Sequence, residues 1–305
     1  MSRKRKGREV CGWLCIDKPP GETSTRVVAA VKRLYGATKV GHAGTLDPLA
    51  TGALPVALGD ATKTVPFVQD GRKIYRFAVR WGVETDTDDA EGRAVETSDA
   101  RPDADAIAAT LPEFIGEIMQ RPPAYSAIKV YGARAYDLAR EGEEVTLDER
   151  PVAIHRLALV EMPDRDHAVF EAECGKGTYV RSLARDLGRK LGCRGHVVAL
   201  RRLVVGPFDE ATFVTLAGLE ARKEAGGEDA LDAMLRPVGF VLADLPELVL
   251  STSDAARLRR GQSVIIRGRD APASAPTAHA TSAGESIAIG EIAQGEFHPR
   301  RVFRQ

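Results

Sequence analysis

Residues 75–81 alternate strictly between two faces, which predicts a β-strand with one side against a core. One face carries the large apolar side chains, and the other carries Arg76, Ala78 and Arg80. Three further segments have the pattern of strands: 152–160, 168–174 and 196–205. Helical patterns occupy 25–35, 104–111 and 133–140. Because strands and helices are mixed without a regular βαβ repeat, we expect an α+β fold rather than a doubly wound parallel sheet.

Two helices have well-marked boundaries. Helix 25–35 places its valines on one face, with Ser24 as the candidate N-cap and Gly36 at its end. A further helix opens at Thr178 or Tyr179, and apolar residues recur on one of its sides with the 3.6-residue period. Gly192 is the expected C-terminal stop of this second helix.

Charge is distributed unevenly along the chain, although 43 basic and 43 acidic residues cancel. Residues 84–105 contain nine acids and two bases, whereas residues 176–202 contain eight bases and one acid. Arg181, Arg185 and Arg189 follow one another at steps of four residues and form a basic stripe beside the apolar face of their helix. The zero net charge excludes a uniformly cationic coat for nucleic acid. The stripe suits contact with phosphates, and a solvated helix face is the alternative.

The densest cluster of unusual residues is the glycine- and proline-rich segment 41–52. Pro48 favours an extended conformation for Asp47, so we expect this carboxylate on a loop rather than on a helix surface. A turn residue that bonds its own backbone is the alternative reading of Asp47. The sequence leaves three roles open for His42: a base, a ligand or a turn histidine. The chain lacks the sequence of a phosphate-binding P-loop, of a hydrolase nucleophile elbow and of a dinucleotide fingerprint.

Hydrophobic segments and cysteines restrict the remaining classes. The charge-free stretch 48–59 is short and is interrupted by proline and glycine, so we expect no membrane span. The basic N-terminus has no apolar signal core behind it, which predicts a cytoplasmic protein. Four cysteines without a paired C-x-x-C arrangement predict neither a disulfide scaffold nor a metal site.

A change of composition after residue 244 suggests two domains, 1–244 and 245–305. The second is expected to be small and rich in β-structure. Its residues 270–284, rich in Ala, Ser, Thr and Pro, are predicted to form a long mobile loop.

Several motifs in order give the chain a family resemblance. They are Asp17-Lys18-Pro19-Pro20-Gly21, Gly41-His42-Ala43-Gly44-Thr45-Leu46-Asp47-Pro48, Lys73-Ile74-Tyr75, Arg121-Pro122-Pro123-Ala124-Tyr125-Ser126, Gly177-Thr178-Tyr179-Val180-Arg181 and Leu200-Arg201-Arg202. Together they resemble the TruB family of bacterial tRNA pseudouridine synthases, over roughly the first 210 residues. That family isomerises a uridine at position 55, in the T-loop of tRNA, to pseudouridine.

The resemblance implies a fold and a set of partners. The fold is a mixed, largely antiparallel sheet with an RNA-binding insertion and a PUA-like C-terminal domain. It also implies the T-arm of tRNA as partner, no cofactor, no metal and no membrane association, and we expect a monomer.

The resemblance also implies residue roles. Asp47 is the catalytic carboxylate, acting on the base, on the sugar or within a glycal-type route, and Arg181 is its partner. Tyr75 stacks on the extruded uridine and is available for proton transfer. The residues expected to bind substrate are His42, which fills the space of the flipped base, together with Tyr179, Leu200, Lys18, Arg185 and Arg189. Of these, Lys18 is expected to support the catalytic loop more than to touch substrate.

Two other functions stay open at this point. The basic stripe also fits an RNA chaperone that binds and remodels tRNA without turnover. A carboxylate-dependent nucleosidase would release free base, but it needs a second positioned carboxylate, and the motifs offer no obvious partner for Asp47.

Overall fold

The computed structural model describes residues 7–126, 128–130, 133–136, 147–266 and 274–304. The first strands and helices are β1 (Gly12–Lys18), α1 (Ser24–Tyr35), β2 (Val40–His42), β3 (Thr51–Leu58), α2 (Val65–Asp70), β4 (Lys73–Trp81), β5 (Val83–Thr85), β6 (Ala94–Thr97), α3 (Ala104–Thr110), β7 (Gly116–Gln120), β8 (Lys129–Val130) and β9 (Ala133–Arg134). They are followed by β10 (Arg150–Asp164), β11 (His167–Cys174), α4 (Val180–Lys190), β12 (Gly195–Val205), β13 (Phe213–Val214), α5 (Leu216–Asp232), β14 (Glu247–Val249), α6 (Thr252–Arg259), β15 (Val264–Ile265), β16 (Ala275–Ser282), β17 (Glu285–Ala293) and β18 (Glu296–Val302).

A nine-stranded mixed sheet forms the centre of the protein. Its order is β13-β1-β3-β12-β4-β11-β10-β7, with β2 paired to β3 beside this path. The β1–β13 and β3–β12 pairs are parallel and the other pairs are antiparallel. The predicted α+β class and the largely antiparallel sheet are therefore confirmed.

The two faces of this sheet serve different cores. In β1, Leu14 and Ile16 belong to the main core together with the apolar faces of α1 and α4. The alternate residues Trp13 and Cys15 point to the opposite side, into a second cluster that includes Phe303 near the C-terminus. The period of two along a strand is what allows one strand to supply both cores.

The strand predictions agree with the structure. Segment 75–81 lies in β4, whose residues alternate between buried and less buried positions as expected. Segments 152–160, 168–174 and 196–205 lie in β10, β11 and β12. Helix 104–111 is also present, as α3 followed by a 3-10 turn.

The start of α1 differs from the prediction in one detail. Thr23, not Ser24, is the N-cap, because Thr23 has extended backbone angles and its hydroxyl accepts from Arg26 N at 3.2 Å. Ser24 instead lies inside the helix and bonds Leu46, donating to its carbonyl at 3.0 Å and accepting from its amide at 2.9 Å. The helix ends as predicted at Gly36, which adopts the left-handed conformation with φ of 59°.

The helix predicted at 133–140 is wrong at its start, because residues 133–134 pair as strand β9. Residues 135–136 are helical, in agreement with the prediction, and residues 137–140 lie outside the described residues. The helix predicted to open at Thr178 or Tyr179 is α4, with Tyr179 as N-cap and the left-handed Gly192 just beyond its end.

The C-terminal region is rich in β-structure, as predicted, and forms a five-stranded sheet of order β14-β16-β17-β18-β15. The predicted loop at 270–284 is wrong over residues 275–282, which form β16 between β14 and β17. Its residues 270–273 lie outside the described residues. Ala275, Ala278 and Ala280 are buried in the core of this sheet, where small side chains fit beside larger neighbours such as Phe297. The small residues that make this segment resemble a loop in composition therefore serve close packing within the sheet.

The C-terminal sheet is attached to the central one by polar contacts as well as by the second core. Lys63 Nζ donates to the carbonyl of Val302 at 2.7 Å, and Arg304 N donates to Asp60 Oδ2 at 2.6 Å. Lys63 and Asp60 also pair with each other at 2.8 Å. The 3-10 helix Gly59–Thr64 that follows β3 is therefore the main polar docking point for the C-terminal residues.

Candidate active site

The loop that joins β2 to β3 carries Asp47 and is fixed to its surroundings by backbone contacts. Ala43 N donates to the carbonyl of Pro55 at 2.9 Å, and Gly21 N donates to the carbonyl of Pro48 at 2.9 Å. The reciprocal bonds between Leu46 and Ser24 tie the same loop to the start of α1. These contacts leave the loop little freedom, so Asp47 has a defined position.

Asp47 faces the guanidinium of Arg181, which projects from the first turn of α4. Arg181 Nε lies 2.9 Å from Asp47 Oδ2, and Nη2 lies 3.2 Å from Oδ1. The Arg181 side chain is 6% exposed and that of Asp47 is 36% exposed. A two-point contact of this kind holds a carboxylate in one orientation. The carboxylate thus has one edge against a buried arginine and another edge open to a ligand.

The far side of Arg181 is also occupied. Its Nη1 donates to the carbonyl of Thr87 at 2.8 Å and lies 3.4 Å from Asp89 Oδ2. Its Nη2 donates to the carbonyl of Tyr125 at 2.9 Å. Arg181 therefore connects the Asp47 loop to two segments that are distant from it in sequence.

Asp89 is a site residue that the sequence reasoning missed. It is almost fully buried. Its carboxylate accepts from Thr87 Oγ1 at 2.6 Å and from Glu91 N at 3.0 Å. Asp89 lies in the acidic segment 84–105. No other sequence feature drew attention to this region.

Tyr75 and Tyr179 lie within electrostatic reach of the Asp47 carboxylate. Burial raises the pKa of both tyrosine hydroxyls above their usual value, and the negative charge of Asp47 adds to the effect. Tyr75 comes from β4 and Tyr179 from the residue before α4. Both rings are thus at hand for a base bound next to Asp47.

His42 ends β2, directly before the Asp47 loop, and is half-buried. Burial, together with the positive charge of Arg202, lowers the pKa of His42 below its usual value, which favours the neutral imidazole at neutral pH. Leu200 is buried in β12, and its carbonyl accepts from Thr51 Oγ1, at the start of β3, at 3.4 Å. The sheet thus holds His42 and Leu200 near the two ends of the Asp47 loop.

Lys18 supports the loop and does not face a ligand. Its side chain is fully buried. Its Nζ donates to the carbonyls of Pro19 at 2.9 Å, Glu22 at 2.6 Å and Pro48 at 3.1 Å. Placing Lys18 among the substrate-binding residues is corrected by this geometry, whereas its expected supporting role agrees with it.

The basic stripe on α4, which the sequence suggested for phosphate contact, is paired with carboxylates within the protein. Arg185 is buried, with Nη1 2.9 Å from Asp88 Oδ2, and Nε 2.8 Å from Asp186 Oδ1. Arg189 Nε lies 2.9 Å from Glu84 Oε2. The acidic segment after β4 therefore lies along the basic helix, and the two charge runs neutralise each other in space.

Gln120, at the end of β7, is a second residue that the sequence reasoning missed. Its side-chain amide accepts from Tyr179 N at 2.8 Å and donates to the Tyr179 carbonyl at 3.1 Å. Because Tyr179 itself provides no side-chain cap for α4, Gln120 fixes the start of the helix that carries Arg181. No sequence signal points to a lone glutamine with this role.

The described residues contain neither a metal site nor a membrane-spanning helix. No group of three or more His, Cys, Asp or Glu side chains in the described ranges is arranged to hold a metal ion. Within the same ranges, no helix combines the length and apolar character needed to cross a bilayer.

Two family models match adjoining parts of the chain. The TruB family pseudouridylate synthase N-terminal domain matches residues 32–180, and the tRNA pseudouridylate synthase B C-terminal domain matches residues 181–243. The chain belongs to the TruB family of pseudouridylate synthases. The first TruB model contains Asp47 and Tyr75, and the second begins at Arg181.

Curated relatives within the TruB family match nearly the whole chain. The tRNA pseudouridine synthase B of Nitrobacter winogradskyi is 59% identical over 302 residues, which cover 98% of this chain and 84% of the relative. The protein of the same name from Agrobacterium fabrum is 56% identical over 305 residues, covering 99% and 97%.

Solved structures share the fold. A chain of a Cbf5-Nop10-Gar1 complex is 27% identical, with a TM-score of 0.72, covering 96% of this chain and 84% of that chain. A chain of an H/ACA RNP bound to a substrate RNA containing 2′-deoxyuridine has a TM-score of 0.75 at 24% identity, covering 100% and 92%. This TruB family member therefore shares its fold with the matched chains of these two complexes.

Proposed function

We propose that this protein converts uridine to pseudouridine at position 55, in the T-loop of tRNA, with Asp47 as the catalytic carboxylate. The observation that carries the proposal is the open edge of the Asp47 carboxylate, held from behind by the buried guanidinium of Arg181 at 2.9 and 3.2 Å. The names of the relatives, tRNA pseudouridine synthase B, support the choice of reaction and of RNA.

The reaction is an isomerisation, and its atoms balance without any other reactant. The bond between C1′ of the ribose and N1 of the base breaks, and a bond between C1′ and C5 forms. The proton that leaves C5 is matched by one that is gained at N1. A carboxylate can assist by adding to the base, by adding to the ribose, or by accepting a proton in a glycal-type route, and all three are compatible with the open edge of Asp47.

The uridine must leave its stack to reach Asp47. The Asp47 carboxylate is only partly exposed, on a loop beside the central sheet, so we expect the target nucleotide to be extruded into the site. Tyr75 and Tyr179 supply aromatic surface for the extruded base, with Leu200 as part of the wall. Tyr75 also has a hydroxyl suited to proton transfer. His42, neutral at pH 7, occupies the space that the base leaves.

The chaperone reading depended on a free basic stripe, and the pairing of Arg185 with Asp88 and of Arg189 with Glu84 removes that support. The nucleosidase reading requires a second carboxylate with access to the substrate. Asp89 lies across Arg181 from Asp47, but its burial and its contacts with Thr87 and Glu91 hold it away from a ligand. Neither alternative is favoured by the geometry.

Asp47→Asn tests the proposal, and Asp17→Asn is its matched control. Asp17 also pairs with an arginine at 2.9 Å and has a similar exposed fraction, 31% against 36% for Asp47. We expect Asp47→Asn to abolish pseudouridine formation in a T-arm hairpin, measured by mass spectrometry, while its affinity for the hairpin stays within about threefold of the wild type. Asp17→Asn should retain turnover. Full turnover in Asp47→Asn, or the release of free uracil by the wild type, would contradict the proposal.

A further inference from the structure

Arg202 is a buried cation beneath the Asp47 loop. The proposed reaction assigns no role to it. Only 2% of the residue is exposed. Its Nε donates to the carbonyl of Ala53 at 2.7 Å, and its Nη2 donates to the carbonyl of Gly44 at 3.0 Å. Among the ion pairs of the described residues, none includes Arg202. A buried guanidinium that is bonded only by neutral groups is costly, and such a cost is commonly retained for a function.

The two carbonyls bonded by Arg202 flank the Asp47 loop on both sides. Gly44 lies three residues before Asp47, and Ala53 lies six residues after it, in β3. Gly44 has a φ of +102°, and a side chain there would lie 3.3 Å from Arg202 Nη1. Gly52 is even closer, since a Cβ at that position would be 2.3 Å from the Arg202 carbonyl oxygen. The glycines of the loop thus allow the backbone to close around Arg202.

Arg202 also faces Tyr75. The two residues are directly opposite each other in the antiparallel β4–β12 pair, so their side chains project to the same face of the sheet. The guanidinium opposes the rise that burial gives to the pKa of Tyr75, and its charge lowers the pKa of His42 as well. One guanidinium therefore bonds the loop of the proposed catalytic carboxylate and acts on the tyrosine proposed to work with it.

We propose that Arg202 is a positioning residue that holds the Asp47 loop and the Tyr75 hydroxyl in a fixed relation to each other and places an uncompensated positive charge beside Tyr75 and His42. The proposal rests on the proposed function, because the relation between the loop and Tyr75 matters for turnover on RNA. It predicts that Arg202 affects the rate of the reaction and leaves the affinity for RNA almost unchanged.

Arg202→Gln and Arg202→Lys test this role, with Arg201→Gln and Arg201→Lys as matched controls. Arg201 precedes Arg202 in the same strand and pairs with Asp17 at 2.9 Å. The measurements are the single-turnover rate of pseudouridine formation on a T-arm hairpin and the Kd of that hairpin. We expect Arg202→Gln to lower the rate about 100-fold, because a misplacement of about 1 Å costs that much. Arg202→Lys keeps the positive charge but lacks the forked guanidinium. Its rate should therefore be about tenfold higher than that of Arg202→Gln. Kd should stay within about threefold in all variants, and the Arg201 variants should keep their rate within about threefold.

The titration of His42, followed by NMR, gives a readout that a purely structural role would not change. Since the charge of Arg202 helps to lower the pKa of His42, Arg202→Gln should raise that pKa, whereas Arg202→Lys and Arg201→Gln should not. The imidazole signal is assigned with a His42→Asn variant.

Three results would overturn the role of Arg202: a folded Arg202→Gln with a rate within about threefold of the wild type, a loss of RNA affinity that equals the loss of rate, or an unchanged His42 titration. If Arg202→Gln does not fold, Arg202→Lys decides, because a folded Lys variant with the wild-type rate contradicts the proposal and one slowed about tenfold supports it. Failure of the proposed function is distinguishable, since it would appear as a wild-type protein that binds the hairpin and forms no pseudouridine.

Discussion

Arg185 and Asp88 form a buried ion pair between two segments 97 residues apart, with Arg185 Nη1 2.9 Å from Asp88 Oδ2. The two side chains are 8% and 7% exposed. Asp88 adopts a left-handed backbone conformation with φ of 61°, and its carbonyl accepts from Val197 N at 3.1 Å. The pair lies next to Asp89, which contacts Arg181, so it supports the segment behind the Arg181 guanidinium.

Replacing Arg185 by Met should destabilise the protein rather than weaken RNA binding. The change leaves the Asp88 carboxylate buried without its cation, and we expect a loss of about 3–5 kcal/mol in the free energy of unfolding. Arg189→Met is the control on the same helix, because its side chain is 50% exposed, and it should cost less than about 1 kcal/mol. Urea denaturation measures both.

The same two arginines should not contribute to the salt dependence of RNA binding. Both are already neutralised by carboxylates of the acidic segment, so they release no counterions when RNA binds. For Arg189→Met we expect the slope of log Kd against log salt concentration to match that of the wild type. A slope smaller by about one unit would return Arg189 to the phosphate contacts suggested by the sequence.

The stability of the protein should depend on the ionisation of Asp88. Burial raises the pKa of Asp88 from 3.8 to about 6, and the charges of Arg185 and Arg181 oppose this only in part. The folded state therefore binds this proton more tightly than the unfolded chain does. The stabilisation from protonation is complete below the unfolded pKa of 3.8 and is lost as the pH rises through about 6.

Asp88→Asn isolates this effect, because the amide does not titrate. Between about pH 4 and pH 7, the free energy of unfolding of the wild type should fall by up to roughly 3 kcal/mol relative to the variant. The measurement is urea unfolding of both proteins across this range. A difference that rises with pH would mean that the ion pair with Arg185 outweighs burial.

Asp89→Asn should slow turnover without loss of RNA affinity. The neutral amide weakens the contact behind Arg181, which then holds Asp47 less firmly, and we expect a rate loss of about tenfold or more. Asp86→Asn is the control, since Asp86 is exposed and its carboxylate accepts from the backbone of Arg93 at 2.8 Å. The rates are measured in single turnover. Equal rates in the two variants would show that Asp89 does not contribute to the site.

Gln120→Glu should act through the start of α4. The carboxylate still accepts from Tyr179 N, but it cannot donate to the Tyr179 carbonyl, which keeps only the bond from Leu183 N at 3.1 Å. The lost hydrogen bond and the second carboxylate oxygen held against that carbonyl should cost about 1–3 kcal/mol. We expect a lower melting temperature and a rate of pseudouridine formation reduced by about tenfold. The same change at the exposed Gln69 should alter neither quantity.

Much of the fold could be predicted from local patterns. The two-residue alternation of 75–81 identifies β4, and Gly36 correctly marks the end of α1. Such features depend on residues close together in the chain, where burial on one face imposes a period on the sequence. The motif around Asp47 likewise directs attention to the loop that faces Arg181. In contrast, the Ala- and Thr-rich segment 275–282 has the composition of a loop, because nothing local indicates that neighbouring strands cover it.

Which charges pair, and which neutral residues support the site, was decided by the tertiary structure alone. The sequence by itself determined that a basic helix and an acidic segment exist, that Asp47 lies on a tight loop, and that strands and helices form an α+β fold. Only the packing of the chain placed Glu84, Asp88 and Asp89 along α4, and brought Arg202 under the Asp47 loop. The physical reason is that the free energy of a charge depends on its burial and on its partners, and both are set by contacts between residues far apart in the chain.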